Sequence, residues 1–118
     1  MGMPANPIST DLAAAFGAAV EYFTDHWTAS NPDALVFIDG RAQSIRSICE
    51  LVAHSEDSLP EDVQKLLFAQ MHAEDDALRF DLTWAGSYRV GAQCLLKLMD
   101  DRVAAEELRQ QRQWEASL

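Results

Sequence analysis

The spacing of the apolar residues constrains this chain more than any other feature of its sequence. In four successive segments, apolar side chains recur every three or four residues, which places them on one face of an α-helix. The first segment is the clearest, with a stripe that runs from Leu12 to Trp27. Ser9 or Thr10 precedes it and can cap a helix. The stripe therefore predicts a first helix that ends near residue 28.

The second segment admits two interpretations. Asn31-Pro32-Asp33 is a strong helix start, because Asn caps, Pro suits the first helical position and an acid favours the positive end of the helix dipole. The apolar positions that follow keep the helical spacing through Gly40, which favours a second helix. The alternative is a short strand over residues 34–38 that ends at Asp39-Gly40. We expect the helix, although a glycine inside it costs about 1 kcal/mol relative to alanine.

The last two segments are separated by a glycine. Ser58-Leu59-Pro60-Glu61 has the pattern of a capping box, which predicts a third helix over residues 60–83. Gly86 and Ser87 combine a helix stop with a new cap. A fourth stripe then begins at Tyr88 and is followed by a charged tail, which we expect to extend this helix into solvent.

These segments predict the organisation of the whole chain. Residues 1–8 contain two prolines and are expected to form a disordered lead-in, whereas residues 9–118 are expected to form a single domain. Four amphipathic segments joined by short turns favour helices that pack side by side in alternating directions. The predicted fold class is therefore all-α, an antiparallel bundle of about four helices.

The net charge excludes some classes of partner. The 118 residues carry a formal charge of −10, whereas a protein that binds nucleic acid through its phosphates needs a basic face. An anionic membrane surface would also repel this chain. We therefore expect no nucleic acid and no membrane as partners. A basic protein would suit the acidic surface.

The cysteines and the first helix bear on the compartment. Cys49 and Cys94 each lie within an apolar stripe, so we expect both to be small core residues with reduced thiols. The apolar run of the first helix is short and rich in alanine, unlike a signal peptide or a membrane span. Both observations predict a cytoplasmic protein.

Charged residues interrupt the apolar stripes. Glu74 lies near the centre of the apolar face of the third helix and Asp81 near its edge, counting about 100° per residue. Arg41 and Arg102 occupy comparable positions in the second and fourth helices. If the third and fourth helices fold back on each other, Gln70 comes level with Arg102. These five residues are therefore the candidate polar layer of the bundle.

Two interpretations of this polar layer are open. A carboxylate and a guanidinium in one layer can orient a small ligand, and a carboxylate with a raised pKa can serve acid–base chemistry. The alternative is a structural ion pair, which is common where charges are buried. The first interpretation gives a small-molecule-binding or metal-assisted enzyme.

Apolar residues that fall outside the stripes predict a second buried surface. A single bundle of this size cannot bury two faces of every helix, so aromatic residues left outside indicate a homodimer contact or a partner groove. The alternative is that the helix phases are shifted by a residue or two, or that the third helix is central. The candidate interface residues are Val36, Phe37, Phe68, Phe80 and Trp84.

The function predicted from the sequence is a non-enzymatic protein-interaction module that forms a homodimer. An inhibitor, an immunity-type protein or an adaptor would fit this description. We expect no catalytic residues, because the sequence has no nucleophile elbow and no phosphate-binding loop. His54 and His72 point away from their stripes, so we also expect no metal and no cofactor. The polar-layer enzyme is the alternative.

Overall fold

A computed structural model of the chain describes residues 7–71 and 76–118. Within these residues the fold has five α-helices and one two-stranded antiparallel sheet. The fold is therefore a small mixed α/β fold, and the prediction of an all-α antiparallel bundle of about four helices is wrong. In chain order the elements are α1 (Thr10–Asp25), β1 (Leu35–Ile38), β2 (Arg41–Ser44), α2 (Ile45–Val52), α3 (Glu61–Gln70), α4 (Asp76–Ala85) and α5 (Tyr88–Ala116).

The first helix is confirmed. Ser9 is its N-cap, and the Ser9 hydroxyl accepts a hydrogen bond from the backbone N–H of Leu12 at 3.1 Å. Just before this helix, the N–H of Ile8 donates to a carboxylate oxygen of Asp57 at 2.7 Å. Of the stripe positions within α1, Phe16, Ala19, Val20 and Phe23 are buried, whereas Leu12 is half-buried.

The predicted second helix is largely a β-hairpin, and this is the main correction to the fold. Leu35 pairs with Ser44 and Ile38 with Arg41, and only residues from Ile45 onward are helical. Asp39 and Gly40 both have positive φ, at 52° and 78°. Positive φ at two central residues is the signature of a tight type I′ hairpin turn and cannot occur inside a right-handed helix. The strand that ends at Asp39-Gly40 was thus the correct alternative.

The predicted third helix is interrupted. Helix α3 ends at Gln70, and Met71 has extended backbone with φ −82° and ψ 140°. Residues 72–75 lie outside the described part, and α4 begins at Asp76. A continuous helix over residues 60–83 would be about 36 Å long. Two shorter helices instead let Leu67 and Leu82 both reach the core.

The predicted capping box does not form. The N-cap of α3 is Pro60, and no side chain caps this helix. Ser58 instead forms an isolated β-bridge with Ser87, and the side-chain amide of Gln64 donates to the carbonyl of Leu59 at 2.7 Å. The segment before α3 is therefore held by the segment before α5 rather than by its own cap.

The boundary at Gly86 is confirmed. Gly86 has a φ of 53°, and the Ser87 hydroxyl accepts from the N–H of Val90 at 3.3 Å, which caps α5. The first half of α5 is buried, whereas every residue from Glu107 onward is exposed. Since an α-helix rises about 1.5 Å per residue, residues 104–116 extend about 20 Å beyond the core.

The core is built around α1 and α5. Helices α2 and α3 each contact both of them, the hairpin packs on α1, and α4 packs on α5. The Phe16 and Tyr88 rings meet edge to face, with centroids 5.9 Å apart. The largest fully buried side chains are those of Phe16, Phe23, Ile45, Ile48, Leu67, Leu82, Leu95 and Met99.

The hairpin turn predicts a contrast between two glycine substitutions. A Cβ added at Gly40 would meet no atom within 4 Å, so Gly40→Ala should destabilise only through its left-handed backbone, by about 1 kcal/mol. Gly17 lies within α1 and also has open space around it. Gly17→Ala should therefore stabilise by about 0.5–1 kcal/mol through helix propensity. Urea unfolding of the two variants measures both changes. A neutral or stabilising Gly40→Ala would contradict the hairpin.

Candidate functional site

Two aromatic rings lie stacked on the outside of α4. The rings of Phe80 and Trp84 are nearly parallel, with an interplanar angle of 9° and centroids 5.8 Å apart. One turn of helix separates the two residues, so they lie on the same side of α4. Their side chains are 62% and 82% exposed. Leu82, on the opposite side of α4, is fully buried. We call Phe80 and Trp84 the α4 aromatic pair.

Phe68 lies beside this helix but is not equally open. Its side chain is half-buried on α3, and the guanidinium of Arg79 lies over its ring at 4.5 Å from the centroid. This cation–π contact joins α3 to α4. Of the predicted interface residues, the structure therefore brings Phe68, Phe80 and Trp84 to adjoining elements.

The other two predicted interface residues lie on the hairpin and face opposite ways. Val36 is buried at 5% exposure, whereas Phe37 is 76% exposed. Successive side chains of a strand point to opposite faces, so both cannot belong to one exposed surface. The hairpin packs on α1 and α2, whereas α4 packs on α3 and α5. Phe37 and the α4 aromatic pair are thus separate exposed features.

Among the described members of the predicted polar layer, Gln70 and Arg102 are in contact. The Arg102 guanidinium donates to the side-chain carbonyl of Gln70 at 2.7 Å and lies over the Phe23 ring at 4.3 Å from the centroid. Burial lowers the pKa of Arg102 from its usual value, which still leaves the group charged at neutral pH. These contacts tie α5 to α3 and α1. Their chemistry is that of a structural link.

Asp81 and Arg41, two further members of that layer, are not brought to this pair. Asp81 is exposed on α4, and Arg41 is exposed at the start of β2. Glu74 lies outside the described residues. Among the described residues, no carboxylate therefore joins Gln70 and Arg102 in the arrangement that acid–base chemistry was expected to use.

A groove between α1 and β1 was missed by sequence reasoning. It has a volume of about 370 Å³ and is lined by Ala18, Glu21, Tyr22 and Asp25 from α1, by His26 just after α1, and by Leu35, Val36 and Phe37 from β1. Its lining includes carboxylates, aromatic rings and aliphatic side chains but no lysine or arginine. The strand interpretation of residues 34–38 was the signal that would have pointed to it, because the groove exists only beside a strand.

The cysteines and the remaining histidines give no sign of redox or metal chemistry in the described residues. The Cys49 and Cys94 thiols are both buried and are not joined in a disulfide, and burial raises the pKa of the Cys49 thiol to about 12. Across residues 7–71 and 76–118, no three His, Cys, Asp or Glu side chains are placed to hold a metal ion. None of the helices in that part of the chain combines the length and apolar character that a membrane crossing needs.

Comparison with known proteins does not assign the chain to a family. It matches no protein-family model, no curated protein and no solved structure.

The Arg102 contacts predict a stability difference between two arginines of α5. Arg102→Met should lower the free energy of unfolding by about 1–2 kcal/mol, because it removes a charged hydrogen bond and a cation–π contact. Arg112→Met is the matched control, since Arg112 is exposed near the end of the same helix. Its effect should stay within about 0.5 kcal/mol. Equal effects of the two substitutions in urea unfolding would contradict a structural role for Arg102.

Proposed function

We propose that this protein is a non-enzymatic protein-interaction module, of the inhibitor, immunity-type or adaptor kind, and that it forms a homodimer through α4. The observation that carries the proposal is the α4 aromatic pair, stacked and largely exposed. Aromatic side chains contribute large apolar areas to interfaces and are enriched among the residues that dominate binding. Burial of one such side chain in an interface contributes about 1.5–3 kcal/mol to the free energy of association.

The charges beside the pair support a second copy as the partner. Each copy carries a net charge of −10, so two copies repel at long range and contact must occur where this repulsion is weakest. Arg79 and Asp81, which flank Phe80 in the sequence, have opposite signs. A twofold contact places the same patch on both sides, so a patch that carries both signs is compatible with itself.

The overall charge supports a further, basic protein partner. Opposite charge on the partner would speed association, whereas the charge of −10 disfavours nucleic acid and anionic membranes. Two buried thiols that form no disulfide with each other favour a reducing compartment, which supports a cytoplasmic location. These parts of the proposal depend on charge and on thiol state rather than on the α4 aromatic pair.

The test is the mass of the protein in solution for two tryptophan variants. Sedimentation equilibrium between 1 and 200 µM protein should show a wild-type dimer, and Trp84→Ala should weaken it by about 30-fold or more, as expected for an anchor residue. Trp114→Ala is the matched control, because Trp114 is also exposed, at 64%, but lies near the end of α5. Its dimer constant should change less than threefold.

Two results would contradict a dimer formed through α4. One is a wild-type protein that stays monomeric over the whole concentration range. The other is a dimer that Trp84→Ala leaves intact. Added salt provides a second check, since it screens the repulsion between two acidic copies and should strengthen a dimer held by apolar contact.

A further inference from the structure

The outer edge of β1 is open among the described residues. In a hairpin with a two-residue turn, the flanking residues exchange both hydrogen bonds, and every second pair after them does the same. The bonded pairs here are Ile38 with Arg41 and Val36 with Gln43, and the N–H of Ile45 donates to the Ala34 carbonyl in the same alternation. The backbone groups of Leu35 and Phe37 therefore point away from β2. Within residues 7–71 and 76–118, no strand pairs with them.

The α1–β1 groove runs along this open edge. Its lining comes from two turns of α1 and from three residues of β1, with no residue of β2. Glu21 and Asp25 are exposed on the α1 side, while Leu35 and Phe37 are 51% and 76% exposed on β1. The groove thus offers unpaired backbone groups, apolar side chains and two carboxylates.

We propose that the groove binds an extended peptide segment of a basic partner, which adds to β1 as a third strand. Edge addition of this kind takes its affinity from main-chain hydrogen bonds and its specificity from alternate side chains. One face of the added strand lies toward α1 and meets Glu21 and Asp25. The other face lies beside Leu35 and Phe37. The segment is therefore one in which lysine or arginine alternates with apolar residues.

The spacing of the carboxylates matches this alternation. Glu21 and Asp25 are one turn apart on α1, which separates them by about 6 Å along the helix axis. Alternate side chains of a strand are separated by about 6.6 Å. Two basic residues at alternate positions of the added strand can therefore each face one carboxylate. A second copy of this chain would instead bring its own acidic groove.

The proposed peptide site specifies the kind of segment that the basic partner presents. It rests on the proposed function only in treating the chain as a protein-binding module. The groove and the α4 aromatic pair lie on different elements, so the two contacts can be tested separately. Peptide binding is therefore measured both on the wild type and on Phe80→Ala/Trp84→Ala. Peptide binding without a dimer would support the groove alone, and a dimer without peptide binding would overturn the groove alone.

The first test uses a fluorescein-labelled peptide of eight residues in which lysine and valine alternate. Fluorescence anisotropy should detect binding, and the matched peptide with glutamate in place of lysine should bind at least tenfold more weakly. Glu21→Gln/Asp25→Asn should weaken binding of the lysine peptide about tenfold. Glu50→Gln/Glu107→Gln removes the same charge from exposed sites outside the groove and should weaken it less than threefold. Equal effects of the two double variants would overturn the proposal.

The second test changes only the peptide and so does not depend on the folding of a variant. A strand added at an edge presents every second amide to its neighbour. N-methylation of one alternate set of peptide amides should therefore abolish binding, and N-methylation of the other set should be tolerated. If both sets or neither set abolished binding, the peptide would not be an added strand. Slower hydrogen exchange of the Leu35 and Phe37 amides at raised protein concentration, without any peptide, would also overturn the proposal. A second copy of the chain would then occupy the edge of β1.

Discussion

Burial of the apolar face of α1 is the interaction on which the rest of the structure depends. Phe16, Val20 and Phe23 are almost completely buried, and α1 contacts α2, α3 and β1. Each of these elements is short, and isolated helices or hairpins of this length are marginal in water. Their stability therefore comes from docking on α1. The exposed flank of the same helix, at Glu21 and Asp25, forms one wall of the groove, so one helix both organises the core and shapes the surface.

In helix α5 the buried and exposed parts follow one another along the helix, whereas in α1 they lie on opposite sides of it. Its first half completes the core, and Arg102 links it to α3 and α1. Its last turns are exposed and carry local side-chain pairs such as Arg109 with Glu106, at 2.6 Å. The radius of gyration, 15.8 Å, exceeds the roughly 13.5 Å of a compact domain of this length. The chain is thus more extended than a compact domain, and the exposed end of α5 contributes to this.

The sequence predicted the starts of α1 and α5, where the Ser9 and Ser87 caps form as expected. Gln70 meets Arg102 as expected, but not through an antiparallel return: α3 and α5 start side by side at Ser58 and Ser87 and run in the same direction. The hairpin was missed because Leu35 to Ile38 are all apolar and fit helical and strand periods equally well. The end of α3 at Met71 has no glycine or proline to mark it and depends on packing. The groove could not be predicted, since it requires the strand, its register and the exposed flank of α1 together.

The most direct test of this account is amide hydrogen exchange along β1 in the free protein. The amides of Val36 and Ile38, which bond to β2, should exchange slowly, whereas those of Leu35 and Phe37 should exchange at least tenfold faster. That alternation would establish both the hairpin and its open edge. Continuous protection through residues 35–52 would instead indicate the helix that the apolar spacing predicts, and the groove would not exist.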